Sequence, residues 1–244
     1  MQALSRPSLA TPLLLAIALF AAPGFAAGKH AAHGKTEHAG KTAAAKASHG
    51  PLADLRNVHA GKDVVQLANW VSYTYDSQHR PFIIIDKKAA QMYVFDGWGR
   101  LWSSSPVLVG MAVGDDSAPG VGSKRLAQLK ASEKTTPAGR FEARPGKDIR
   151  GANVVWIDFD AALSMHALAS VSASERRAER MATPDPGDNR ISNGCINLPP
   201  KFFNGVLWPT VRKSGAVVYV LPETRTASQQ FGAYDVTGDR KSPA

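Results

Sequence analysis

A mainly β domain, a sandwich or barrel with a few peripheral helices, is the fold class this sequence predicts. Short apolar runs separated by turn residues fill the chain from Phe82 onward, whereas amphipathic helical spacing is clear only just before them. The length, 244 residues with 44% apolar side chains, suffices for one sizeable core without covalent staples. A single cysteine excludes an intrachain disulfide and a zinc site built from several thiolates. The net charge of +9 is moderate; it bears on surface partners, not on fold, and no nucleic-acid partner is expected.

Residues 1–26 read as a secretory signal peptide: Arg6, the apolar run Leu13 to Phe20, then Pro23 and the small-residue site Gly24-Phe25-Ala26. The run is about half of the ~20 residues a spanning helix needs, so no integral membrane span is expected. Residues 27–50 are a basic linker of Ala, Gly, Lys and His, with Lys29, Lys35, Lys41 and Lys46 against Glu37. Its composition cannot bury enough apolar surface to order itself. His30, His33, His38 and His49 make weak metal binding a lesser alternative to a flexible tether that touches anionic envelope polymers.

Residues 51–80 form an N-terminal helical segment, because Val64, Leu67, Ala68, Val71 and Tyr75 recur at three- and four-residue steps behind Asp63, a candidate N-cap. Strands are expected at 82–86, 91–95, 100–102 and 106–110, with Asp96-Gly97-Trp98-Gly99 as a hairpin turn. Further strands are expected at 139–143, 153–157, 163–166 and 216–221. The segment 114–122 is too rich in Gly, Asp and Pro to be an element and lacks the Lys-Ser/Thr ending of a phosphate loop. Residues 169–188 hold a helix-forming Arg/Glu stretch, 174–180, and a Pro-rich loop, an insertion between two strands that is placed to cover a cleft.

The sharpest chemical feature is Ser192-Asn193-Gly194-Cys195-Ile196-Asn197. The only cysteine follows a glycine and precedes an expected helix around 201–206, whose N-terminal amides would favour thiolate. A free thiol of pKa ~8.5 is only a few per cent ionised near neutral pH, so a nucleophile here needs a base beside it. Outside the linker the candidates are His59, His79 and His166; His166, at the end of an apolar run, is the best placed. An inert buried thiol and a hydrogen-bonded strand-end histidine are the alternative readings of Cys195 and His166.

Three groups of residues resemble the L,D-transpeptidase (YkuD) catalytic-domain family of bacterial cell-wall enzymes. They are the opening strands 83–86, 92–95 and 106–110; the turn and strand Thr135-Thr136-Pro137-Ala138-Gly139-Arg140-Phe141; and His166 followed by the Ser192 to Asn197 motif, closed by the strand 217–220. They span residues 81–223 in the family's order, leaving 224–244 as a C-terminal tail. The resemblance implies an L,D-transpeptidase-like sandwich or barrel, with Cys195 as nucleophile and His166 as general base. It also implies supporting roles for Ser192, Asn193, Gly194 and Asn197, with the Gly194 carbonyl orienting the imidazole and the amides around Gly194 and Cys195 forming an oxyanion hole.

Asn193 stands where the family usually has histidine, and it cannot act as a base. The stretch between His166 and Ser192 is longer than usual, and Ala167 replaces a frequent glycine. The implied activity is that of an exported cysteine acyltransferase of the periplasm or cell envelope, acting on peptidoglycan stem peptides without metal or organic cofactor. A catalytically weak or inactive peptidoglycan-binding protein, and a thiol amide hydrolase or L,D-carboxypeptidase on the same fold, are the alternatives.

Overall fold

The computed structural model describes residues 49–168 and 173–238. The expected signal peptide and nearly all of the basic linker lie outside the described residues, as do 169–172 of the insertion and the last six residues. The described residues belong to one compact unit, Lys46–Ala244.

Helix α1, Lys62–Thr74, buries Val64, Leu67, Ala68 and Val71, the face that the sequence spacing predicts. Gly61, not Asp63, occupies the N-cap, and Asp63 lies in the first turn, where its charge meets the positive end of the helix. Tyr75, in the left-handed region at φ 57°, ends the helix by donating its N–H to Val71 O.

Strands β1 (Phe82–Asp86), β2 (Gln91–Phe95) and β3 (Leu101–Pro106) follow as two hairpins. The Asp86 carboxylate accepts from the Lys88 and Ala89 amides in the first turn. Asp96 does the same for Trp98 and Arg100 in the second, as its turn-forming sequence requires. The remaining strands are β4 (Val109–Gly110), β5 (Gly139–Lys147), β6 (Asn153–Asp158), β7 (Leu163–Ala167), β8 (Arg190–Ser192), β9 (Ile196–Leu198) and β10 (Ala216–Val220).

Eight of these strands form one sheet in the order β3-β2-β1-β10-β5-β6-β7-β9, and β4 pairs with β8. Side chains alternate across it. Ile83, Ile85, Met92, Val94, Val218 and Val220 enter one core with Val155, Ile157, Met165, Ile196 and Leu198 from the far strands. Phe82, Ile84, Tyr93, Phe95, Val217 and Tyr219 enter a second core against α1. Each fully buried Ile, Val or Leu contributes about 1.5–3 kcal/mol, so the sheet is stabilised from both faces.

The sheet curls nearly into a barrel. Leu108, just beyond β3, exchanges two backbone hydrogen bonds of 3.0 Å with Asn197 on β9, tying its two ends together. The fold is therefore mainly β, as the sequence predicts.

Two expectations change. The stretch 106–110 is not one strand: β3 extends through Ser103, Ser104 and Ser105 to Pro106, because partners on β2 pair with that polar run. The helix expected around 201–206 is longer, with α-helical turns at Pro200–Phe202 and Trp208–Ser214 around a π-helical turn at Phe203–Leu207. It begins after β9, which separates it along the chain from Cys195.

Candidate active site

The parallel pairing of β7 with β9 builds the site. Met165 lies opposite Ile196 and His166 opposite Asn197. Met165 and Ile196 point into the core. Strand alternation therefore sends Ser164, His166, Cys195 and Asn197 to the other face. Residues separated by the whole segment 167–191 meet there side by side.

The Ser164 hydroxyl donates to Cys195 Sγ at 3.6 Å, and the thiol lies 3.4 Å from the Ala162 carbonyl, to which it donates. His166 Nδ1 is 2.9 Å from the Ala167 carbonyl, a contact that requires the proton on Nδ1. Nε2, the nitrogen left with its lone pair, faces the Asn197 amide nitrogen at 3.0 Å. Asn197 Oδ1 in turn accepts from Arg177 Nη1 at 2.7 Å, and Arg177 Nε donates to Glu175 at 2.6 Å. Residues 177–182 form helix α2, and its first residue, Arg177, is where the inserted segment reaches the candidate site.

Thiol and imidazole perturb each other. Burial pushes the Cys195 thiol up, but hydrogen bonds from His166 and Ser164 outweigh it and leave the thiol below its ordinary value. Burial pushes His166 down, yet its hydrogen bonds to Cys195 and the Ala167 carbonyl raise it overall, while the Arg177 charge opposes protonation. The contacts that favour thiolate thus come from His166 and Ser164 on β7.

The turn before Cys195 is held tightly. Gly194 has φ 122°, a left-handed value that favours glycine, and a Cβ there would sit 2.9 Å from the Thr135 carbonyl oxygen. Ser192 is buried and its Oγ accepts from the Gly194 amide at 3.1 Å. The Gly194 carbonyl accepts from Thr136 Oγ1 at 2.6 Å, and the same hydroxyl accepts from the Gly110 amide at 2.8 Å. The implied orienting role of the Gly194 carbonyl is therefore corrected: Thr136 occupies that carbonyl, and Ala167 O holds the imidazole. Gly194→Ala is expected to cost about 1–3 kcal/mol in urea unfolding and to slow thiol alkylation at Cys195. An unchanged unfolding midpoint would mean that the turn relaxes without loss.

Behind Thr136 lies a buried ionic cluster. Lys87 Nζ donates to Gly114 O at 2.5 Å, Thr136 O at 2.9 Å and Asp115 Oδ1 at 3.0 Å, with Glu223 at 3.5 Å and Arg190 paired to Glu223. This cluster anchors both the segment after Gly114 and the turn that holds Gly194.

A small cavity of about 20 Å³, lined by Ser117, Glu133, Thr135, Asn193, Gly194 and Cys195, opens beside the thiol. Asn193 thus stands at the cavity with the thiol, while His59 and His79 take no part; His79 packs at a tilt between Tyr75 and Trp98. Sequence reasoning missed Ser164, Ala162, Thr136 as the partner of Gly194, and Arg177. Of these, Ser164 was recoverable, since it lies two residues before His166 on the same strand face.

No protein-family model matches the chain, and no curated protein matches it. Solved structures similar to it include L,D-transpeptidases and a cell-shape protein. The helical cell shape determining protein Pgp2 of Campylobacter jejuni aligns at 14% identity and TM-score 0.40, over 60% of this chain and 49% of that one. An L,D-transpeptidase of Mycobacterium smegmatis aligns at 17% identity and TM-score 0.35, over 58% of each chain. The isolated catalytic domain of the Enterococcus faecium L,D-transpeptidase aligns at 17% identity and TM-score 0.36, over 58% of this chain and 98% of that domain. This chain spans about half the length of the Campylobacter protein and 58% of the mycobacterial one.

Proposed function

We propose that the chain is an exported cysteine L,D-transpeptidase that acts on peptidoglycan stem peptides through a thioacyl-enzyme. The observation that carries this reading is the placement of Cys195 and His166 on one face of β7 and β9, with the imidazole lone pair on Nε2. The motif resemblance around 135–141 and 192–197 supplies the substrate class.

In this reading Nε2 gives up the Asn197 N–H and takes the thiol proton as Sγ attacks the carbonyl of the L-centre of a diaminopimelate residue. The imidazolium returns that proton to the leaving D-alanine amine, and a thioester remains on Cys195. An amine from a second stem, a free D-amino acid or an envelope protein then resolves it, or water hydrolyses it. Because Ser192 already takes the Gly194 N–H, the Cys195 amide is the donor assigned to the developing oxyanion. The cavity beside the thiol has room for about one water.

No helix among the described residues is long and apolar enough to cross a membrane. Placement in the envelope rests on the sequence of residues 1–26, and contact with anionic polymers on the basic linker. The test is to incubate the full chain with disaccharide tetrapeptides and follow D-alanine release and new products by mass spectrometry. Release with crosslinked or exchanged products is expected. Release with tripeptide alone would reassign the chain as an L,D-carboxypeptidase, and no release would leave a peptidoglycan-binding protein.

A further inference from the structure

We propose that Arg177, supplied by the segment inserted between β7 and β8, is a positioning residue that fixes the tautomer of His166 and limits its proton affinity through Asn197. The inference rests on reading Cys195 and His166 as nucleophile and base, and it assigns a role to an insertion that has none in the motif.

The argument is one of donors and acceptors. A guanidinium can only donate, so the Asn197 oxygen must face Arg177 and the NH₂ group must face His166. An amide N–H aimed at Nε2 is satisfied only if that nitrogen carries a lone pair. The ring proton is then on Nδ1, where the Ala167 carbonyl accepts it. The relay Arg177–Asn197–His166–Ala167 therefore allows a single neutral tautomer, the one with its lone pair on Nε2.

Burial makes the arrangement strict. Asn197 is 1% exposed and its backbone N–H and C=O are both paired with Leu108, so the amide cannot swing into solvent. The Arg177 side chain is 11% exposed and is itself oriented by Glu175. When His166 gains a proton, Nε2–H confronts the Asn197 N–H, donor against donor, with the Arg177 cation behind it. The charged and titratable groups that act on the ring are Cys195 and Arg177, the latter paired with Glu175. Cys195 favours imidazolium and Arg177 opposes it.

Without Arg177 the Asn197 amide is free to turn its oxygen toward Nε2 and accept from a protonated ring. The test is long-range ¹H–¹⁵N correlation spectra of histidine-labelled full-length protein across pH, with His166 assigned by its absence in His166→Gln. In the wild type, neutral His166 is expected to show a protonated Nδ1 and an unprotonated Nε2. Arg177→Met is expected to populate the other tautomer and to raise the His166 midpoint by about one pH unit. Arg177→Lys, which retains a positively charged donor, is expected to restore the wild-type tautomer in larger part.

Asn197→Asp provides a second variant that keeps the Arg177 contact. It places an acceptor against Nε2, so the ring should become Nε2-protonated and titrate higher still. A ring with the same tautomer and midpoint in Arg177→Met and wild type, or in Asn197→Asp and wild type, would overturn the relay. D-alanine release is no part of this readout: a chain without turnover would count against the proposed function and leave the ring titration to decide the inference.

Discussion

Cys195→Ala is expected to abolish D-alanine release, and His166→Gln to slow it by about 10²–10⁴-fold, the usual contribution of a positioned base. Glutamine is chosen because it fits the space of the half-buried ring and can still meet Asn197, while it cannot take a proton near neutral pH. The thermal transition of His166→Gln should lie close to that of wild type. Alkylation of Cys195 by iodoacetamide gives a second readout. In the wild type its rate should rise at a pH below the ~8.5 of a free thiol, since His166 and Ser164 hold the thiol down. In His166→Gln the largest of those favourable contacts is lost while burial remains, so the alkylation midpoint should move up. A carbapenem, which the family resemblance implies acylates this cysteine, should likewise add mass to wild type and not to Cys195→Ala. A His166→Gln variant that acylates as fast as wild type would show that another group draws the proton, and the assignment of the base would fall.

The positions of β1, β2 and β10 were legible because they are short runs of β-branched and aromatic residues buried on both faces. The β2–β3 hairpin was legible in the turn chemistry of Asp96 to Gly99. Other elements carried no local signal. Strands β8 and β9 have three residues each and are strands only because β4 and β7 pair with them. Ser103 to Ser105 reads as loop by propensity, yet extends β3 because β2 supplies its ladder.

The same holds at the candidate site. His166 and Cys195 were singled out by motif, but what brings them together is the parallel register of β7 and β9, which the long stretch 167–191 hides. Arg177 sits in a run of alternating charges that resembles a solvated helix face. Its direction toward Asn197 is a tertiary fact with no signature in spacing. Gly194 takes a left-handed φ of 122°, and the group that its carbonyl meets is Thr136.

Lys87 is the other residue whose weight the sequence concealed, and Lys87→Met is expected to destabilise the protein by about 3–5 kcal/mol in urea unfolding at neutral pH. Its side chain is 1% exposed, and the Asp115 and Glu223 side chains it meets are 0% and 5% exposed. Methionine keeps much of the volume but leaves two buried carboxylates with less positive charge and strips a donor from the carbonyls of Gly114 and Thr136.

The pH dependence identifies the cause. Burial pushes Asp115 up, but hydrogen bonds from Thr224 and Lys87 leave it below the ordinary carboxylate range. A carboxyl depressed in the folded state contributes stability that is present above its unfolded pKa and lost as pH falls through its folded pKa. The gap between wild type and Lys87→Met should therefore narrow on acidification, as protonated carboxyls no longer need the ammonium. An equal deficit at neutral pH and at pH about 3 would mean that packing, not charge, is what Lys87 contributes. Because Thr136 links this cluster to the Gly194 carbonyl, the variant should also alkylate more slowly at Cys195 under conditions where it remains folded, and Thr136→Val, which keeps Lys87 but takes the hydroxyl from both the Gly194 carbonyl and the Gly110 amide, should reproduce the slower alkylation with a smaller loss of stability.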